Sequence, residues 1–328
     1  MRPYLALALL STLAISCVSV VVQFPPPPVC VTPGQDTGNR LFELKEMDMH
    51  LHAGLERQVP LNEWIGLAVA DGRKVFVVLD HRELYDMTPE EHAAWIKKDG
   101  LTEWYPTGKE GQRALMNDLA RLEDRKDVIA FRGWEIWEGE LDEGLDRDAM
   151  RLAEVLGWHI SPNSDVGPCG RTLLNRVRQI IEVQREFPVP MIVFHPFSMR
   201  IERVQKDATK RGQAVSALSV NDYRFFQPGE QEELIRLLKG KLVYIEIGSG
   251  VGHCWKDPIA REALIADIRP LAEAGVQFTV STDNHILKHA QQPFEPAHYC
   301  EALGVTPANT NGIVRELLDL RTKLRRAK

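Results

Sequence analysis

The sequence predicts an α/β protein built as a (β/α)7 barrel of parallel strands, on three observations. From residue 41 onward, short apolar runs of strand length alternate strictly with amphipathic stretches of helix length, without a composition break or repeat. Such alternation calls for parallel strands joined by crossover helices. Seven units are enough to close a sheet on itself, with an open doubly wound sheet as the other arrangement the pattern allows. Finally, every expected strand ends in a His, Asp or Glu, and barrels of this kind carry their chemistry at the carboxyl ends of the strands.

The expected strands are 44–52, 74–81, 128–137, 156–161, 191–197, 242–247 and 276–282. Between them the expected helices are 61–70, 89–97, 111–123, 145–155, 172–185, 231–239 and 258–274, and 309–324 closes the chain. The first strand ends in His50-Leu51-His52. Residues two apart on a strand share a face, so both imidazoles aim at one point, which suits a divalent cation. The second strand ends in Asp80-His81, the third carries Glu135, the fourth His159, the fifth His195-Pro196, the sixth Glu246 and the seventh Asp283-Asn284-His285. Six of the ten histidines fall at these ends. Taken singly, each reads as a buried histidine bonded to a carbonyl. Seven ends on one rim are different, because clustered imidazoles and carboxylates repel or stay unsatisfied unless cations neutralise them.

Other residues are read more plainly. Arg200, five residues after His195, could hold a phosphate in a bidentate fork, or be an exposed loop arginine; Arg57, Lys256 and Lys288 are weaker candidates for that task. Glu246 reads as a substrate contact or as a group that orients a ligand. Trp134 and Trp137, flanking Glu135, read as barrel packing, and His92, His253, His289 and His298 as surface or loop residues.

In this order, His50-Leu-His52, Asp80-His81, Glu135, His195-Pro196 and Asp283-Asn-His285 resemble the polymerase and histidinol phosphatase (PHP) superfamily of metal-dependent phosphoesterases. The resemblance spans residues 43–289 and implies a distorted barrel holding two or three zinc, manganese or iron ions. It implies one ion on His50, His52, Glu135 and Asp283. A second would share bridging Glu135 with His159 and His195, and a third would take His81 and His285. Glu135, His195 and Asp283 would then be catalytic, and Arg200 and Glu246 would meet a small phosphorylated substrate. The family's usual further histidine, six residues after the HxH pair, is replaced here by Gln58. An amide is a poorer zinc ligand than imidazole, so the third position is expected to be weak. An amidohydrolase-type barrel acting on an amide or lactone also begins with HxH and ends with Asp. A non-catalytic metal-binding lipoprotein would lack the bridging carboxylate.

A formal net charge of -6 and the absence of a basic stripe argue against a surface for long nucleic acid. Residues 1–17 combine Arg2, an apolar run and small Ser16 before Cys17, and read as a secretory signal with a lipobox-like end. A simple cleaved signal and an uncleaved anchor are the other readings. Residues 18–40, with Pro25 to Pro28, read as a stiff tether, leaving 41–328 as the barrel domain. The expected location is therefore extracytoplasmic, in the periplasm or cell envelope, with Cys17 as the lipid-bearing anchor to the membrane. Cys30, Cys169, Cys254 and Cys300 then remain, as two disulfides of unspecified pairing or as buried thiols.

Overall fold

Strand β2 (Val75–His81) is VFVVLDH, an almost unbroken apolar run buried from Val75 to Asp80. Such a run forms where both faces of a strand are covered, one by the barrel interior and one by helices. The computed structural model describes residues 41–52, 61–99, 107–160, 169–197, 200–285 and 295–326, all within one compact unit, Thr32–Lys328. The signal and tether stretches, Cys30, Arg57, Gln58, Lys288 and His289 lie outside them.

The other strands are β1 (Met47–His52), β3 (Ile129–Trp137), β4 (Val155–His159), β5 (Met191–Phe194), β6 (Val243–Ile247) and β7 (Phe278–Val280). They lie side by side in chain order, each parallel to the next. The ring closes where Leu51 bridges Asn284 in parallel, the His52 amide donates to Asn284 O at 3.2 Å and the Asp283 amide donates to His50 O at 2.9 Å. The architecture is the seven-stranded parallel barrel the alternation predicts. Trp134, Trp158, Phe76, Phe131, Phe194 and Phe278 are among the largest side chains of its core.

One carboxylate adds side-chain bonds to the seam where the ring closes. Asp48 accepts from the Thr282 amide at 3.0 Å, from Thr282 Oγ1 at 2.7 Å and from Arg73 Nη1 at 2.8 Å. Arg73 is fully buried.

Several boundaries differ from expectation for local reasons. β5 stops at Phe194 because His195 turns into the left-handed region and Pro196 has no N–H to give a ladder. β7 stops at Val280 because the Thr282 amide is taken by Asp48. In the expected helix 145–155 the structure has a single helical turn, Arg147–Met150, capped by Asp146. Glu154 explains this: its amide donates to Arg132 O and its carboxylate accepts from the Arg132 amide, so the chain is already committed to the β3–β4 ladder. The helix Arg200–Lys210 was not expected, since its apolar stripe is narrow and its remaining residues strongly polar. His92, read as a surface residue, lies on the helix Pro89–Asp99 and is buried. Cys254 and Cys300 are both buried and do not form a disulfide with each other. Among the described residues no helix is long and apolar enough to cross a membrane.

Candidate metal centre

The strand ends converge because their registers align the ligand-bearing residues around one rim. His81 stands opposite Glu135, and Trp137 opposite His159. On β1 a register shift between Asp48 and Leu51 inserts an extra residue where His50 sits, the kind of irregularity that re-aims a side chain. His195 and Asp283 have φ of 56° and 55°, in the left-handed region that non-glycine residues rarely occupy. Strain of this kind persists only where surroundings enforce it. Here the His195 amide donates to Glu246 Oε2 at 2.7 Å and the Asp283 amide donates to His50 O.

Glu135 stands at the middle of the cluster with its two oxygens facing different groups. Oε2 lies 3.0 Å from His52 Nε2, 3.5 Å from His50 Nε2 and 3.4 Å from His81 Nδ1. Oε1 lies 2.9 Å from His159 Nδ1 and 3.2 Å from His195 Nε2. Asp283 Oδ1 completes the first group, 3.4 Å from both His50 Nε2 and His52 Nε2. A third group, His52, His81 and His285, consists of imidazoles alone, with His285 Nε2 2.8 Å from Asp283 Oδ1.

Beneath these side chains Glu246 is buried, and it ties both groups together. Its Oε1 accepts from His50 Nδ1 at 2.8 Å and from Ser281 Oγ at 2.5 Å, while Oε2 holds the His195 amide. With Nδ1 of His50 donating to Glu246, Nε2 is the nitrogen left to face the cluster, and a carboxylate so placed is the usual second partner of a metal-bound histidine. Glu246 thus has the contacts of a group that orients His50. The ring of His50 also stacks on Phe194 at a centroid distance of 3.8 Å. Phe194 can lie there only because residue 157 is glycine; a Cβ at Gly157 would come 1.7 Å from the Phe194 ring. Glu246→Ala is expected to weaken divalent-ion affinity by roughly 10 to 100-fold, read by chelator competition. Unchanged affinity would reduce Glu246 to a space-filling role.

The electrostatics fit cations. Burial would raise the carboxyls of Glu135 and Asp283, yet the imidazoles around them hold both well below the usual carboxylate range. Burial would lower His50 and His195, but Asp283 and Glu246 raise both, His50 well above its ordinary value. Burial drives His81 down to about 3 and lowers His52, so these two are neutral donors at neutral pH. Two buried atoms, Glu135 Oε2 and His52 Nδ1, have no hydrogen-bond partner despite the crowding. A carboxylate oxygen that faces imidazole nitrogens without bonding to them is what a shared cation would satisfy. The donor set of imidazole and carboxylate suits zinc, manganese or iron.

Of the residues expected at the site, the structure brings together His50, His52, His81, Glu135, His159, His195, Asp283 and His285. Arg200 begins a helix, and its side chain lies outside the described residues. Lys256, His253 and His298 are exposed.

No family model and no curated protein sequence matches the chain. Among solved structures, it is similar to a Pseudomonas putida protein provisionally described as a 2-pyrone-4,6-dicarboxylic acid hydrolase, with a TM-score of 0.39 and 17% identity over 84% of this chain and 98% of that one. A xylose isomerase domain protein from Alicyclobacillus acidocaldarius subsp. acidocaldarius gives a TM-score of 0.34 and 16% identity over 79% of this chain and 99% of that one. Likeness this distant carries no argument about activity.

Proposed function

We propose that the chain is a metal-dependent hydrolase and, within that class, a phosphoesterase of the kind its motifs resemble, acting on a phosphomonoester or small phosphodiester. The observation that supports it is the division of Glu135, one oxygen toward His50 and His52 and the other toward His159 and His195. One carboxylate so placed would bridge two ions, the first on His50, His52 and Asp283 and the second on His159 and His195. Two ions held there would acidify a shared water and neutralise the oxygens of a transferring group. The protein's own part is positional: Glu246 fixes His50 and the His195 backbone, and Phe194 stacks on His50. Arg200, on the segment after β5, is proposed to hold the phosphate.

Phosphate is preferred because the motif order, with His81 and the Asp283-Asn284-His285 ending, is that of the phosphoesterases the chain resembles. Hydrolysis of an amide or lactone is the second reading. It is favoured by the completeness of the two-ion part without His81 and His285.

The two are separated by steady-state kinetics on metal-reconstituted protein with an aryl phosphate, an amide and a lactone, alongside elemental analysis after dialysis. Phosphate release with two tightly retained ions is expected, Gln58 leaving the third position weak. Turnover of the amide or lactone with no phosphate release from any ester would replace the first reading by the second.

A further inference from the structure

The end of β3 inverts the usual order of burial. Trp137 is 51% exposed, while Glu138 and Glu140, beside it in sequence, are each only 5% exposed. Tryptophan is buried far more often than glutamate, so this order needs a cause. The carboxylates are drawn in by fixed partners, Glu138 by Arg176 Nε at 3.1 Å and Glu140 by Arg82 Nε at 2.7 Å. The indole is held outside by the backbone it lies against: a Cβ at Gly139 would come 2.3 Å from its six-membered ring. Exposed large apolar side chains are common singly and mean little. The others among the described residues, Leu41, Val215 and Leu324, belong to no strand. Trp137 alone stands at the rim, two residues beyond Glu135 on the same strand and in register with His159. The Glu138 amide fastens this segment to the His159 carbonyl at 3.2 Å. Packing, the role expected for both tryptophans, belongs to Trp134, which is fully buried and donates its indole N–H to Ala149 O at 2.8 Å.

We infer that Trp137 is a substrate-binding platform, and that the natural substrate carries an aromatic ring next to its reacting group. A rigid half-exposed indole offers one face at little entropic cost, and local rules of burial are broken where function requires it. The inference rests on the proposal that the neighbouring cluster binds the reacting group, and it adds the aromatic character of the substrate.

The test uses metal-reconstituted full-length protein and binding rather than turnover. Two matched pairs of non-hydrolysable ligands, phenylphosphonate against methylphosphonate and benzoate against acetate, are titrated by calorimetry into the parent, Trp137→Ala and Trp137→Phe. The parent is expected to prefer the ring-bearing member about tenfold, the ordinary worth of one stacking contact. Trp137→Ala should lose that preference without changing affinity for the methyl member, and Trp137→Phe should keep most of it. Equal binding of ring and methyl by the parent, or a preference that survives in Trp137→Ala, overturns the inference. Ring preference confined to the carboxylates, with neither phosphonate bound, supports the platform and overturns the phosphate reading. Failure of all four to bind overturns both.

Discussion

Glu135→Ala is expected to release at least one of two bound ions and to lower turnover on the order of a thousandfold, the ordinary loss when a metal-generated nucleophile is removed. The expectation follows from the split of its carboxylate, since no other described side chain touches both His50 with His52 and His159 with His195. Glu135→Gln keeps the volume and one oxygen acceptor, so it separates charge from shape. If bridging by a charged carboxylate matters, the glutamine variant should lose nearly as much activity as the alanine one. Thermal stability of the metal-free protein serves as the control, because five imidazoles that surround one carboxylate must not simply collapse the rim when it is removed. Steady-state kinetics and elemental analysis on the same preparations decide it. Full activity in Glu135→Ala would dismiss the mechanism, whatever the substrate.

Most of this centre is legible in the chain because it sits on strand ends. Period-two alternation points His50 and His52 to one side, and chain-order pairing brings the ends of all seven strands to one rim. What sequence does not reveal depends on contacts between distant residues. Glu246 is 196 residues from His50, and nothing near it in the sequence distinguishes an orienting carboxylate from one that meets substrate. The left-handed turns at His195 and Asp283 are equally hidden, being enforced by a carboxylate on β6 and a carbonyl on β1. Pro196 was a usable signal that β5 must end, and Gly157 and Gly139 were signals of close approach, although neither names the ring that approaches. The exposure of Trp137 is hidden too, since a one-dimensional pattern cannot show that Arg176 and Arg82 draw its neighbours in while the indole lies against Gly139.

Asp48→Ala is expected to destabilise the fold by about 3 to 5 kcal/mol, the cost of removing one partner of a buried ion pair, and to lower the melting temperature on the order of 10 °C. Arg73 would lose its Nη1 contact to Asp48 and keep its contacts to Asp71, whose Oδ2 accepts from Nε at 3.3 Å and Nη2 at 2.9 Å. The Thr282 amide and hydroxyl would lose their acceptor as well, at the seam where the ring closes. Asp48 precedes His50 by two residues and Thr282 precedes Asp283 by one, so the same loss should loosen two ligands and weaken ion affinity along with stability. Replacing the whole pair, Asp48→Leu with Arg73→Met, removes the guanidinium together with the carboxylate and should recover much of the stability, because an apolar pair of similar volume is tolerated where half an ion pair is not. It leaves the Thr282 amide and hydroxyl without their Asp48 acceptor and the seam between the ligands slack, so stability should return further than metal affinity. Calorimetric melting of the metal-free proteins and chelator competition on the reconstituted ones measure the two separately. A shift in melting temperature of under about 2 °C for Asp48→Ala would mean that water or a rearranged Asp71 satisfies Arg73, and that the seam does not depend on this carboxylate.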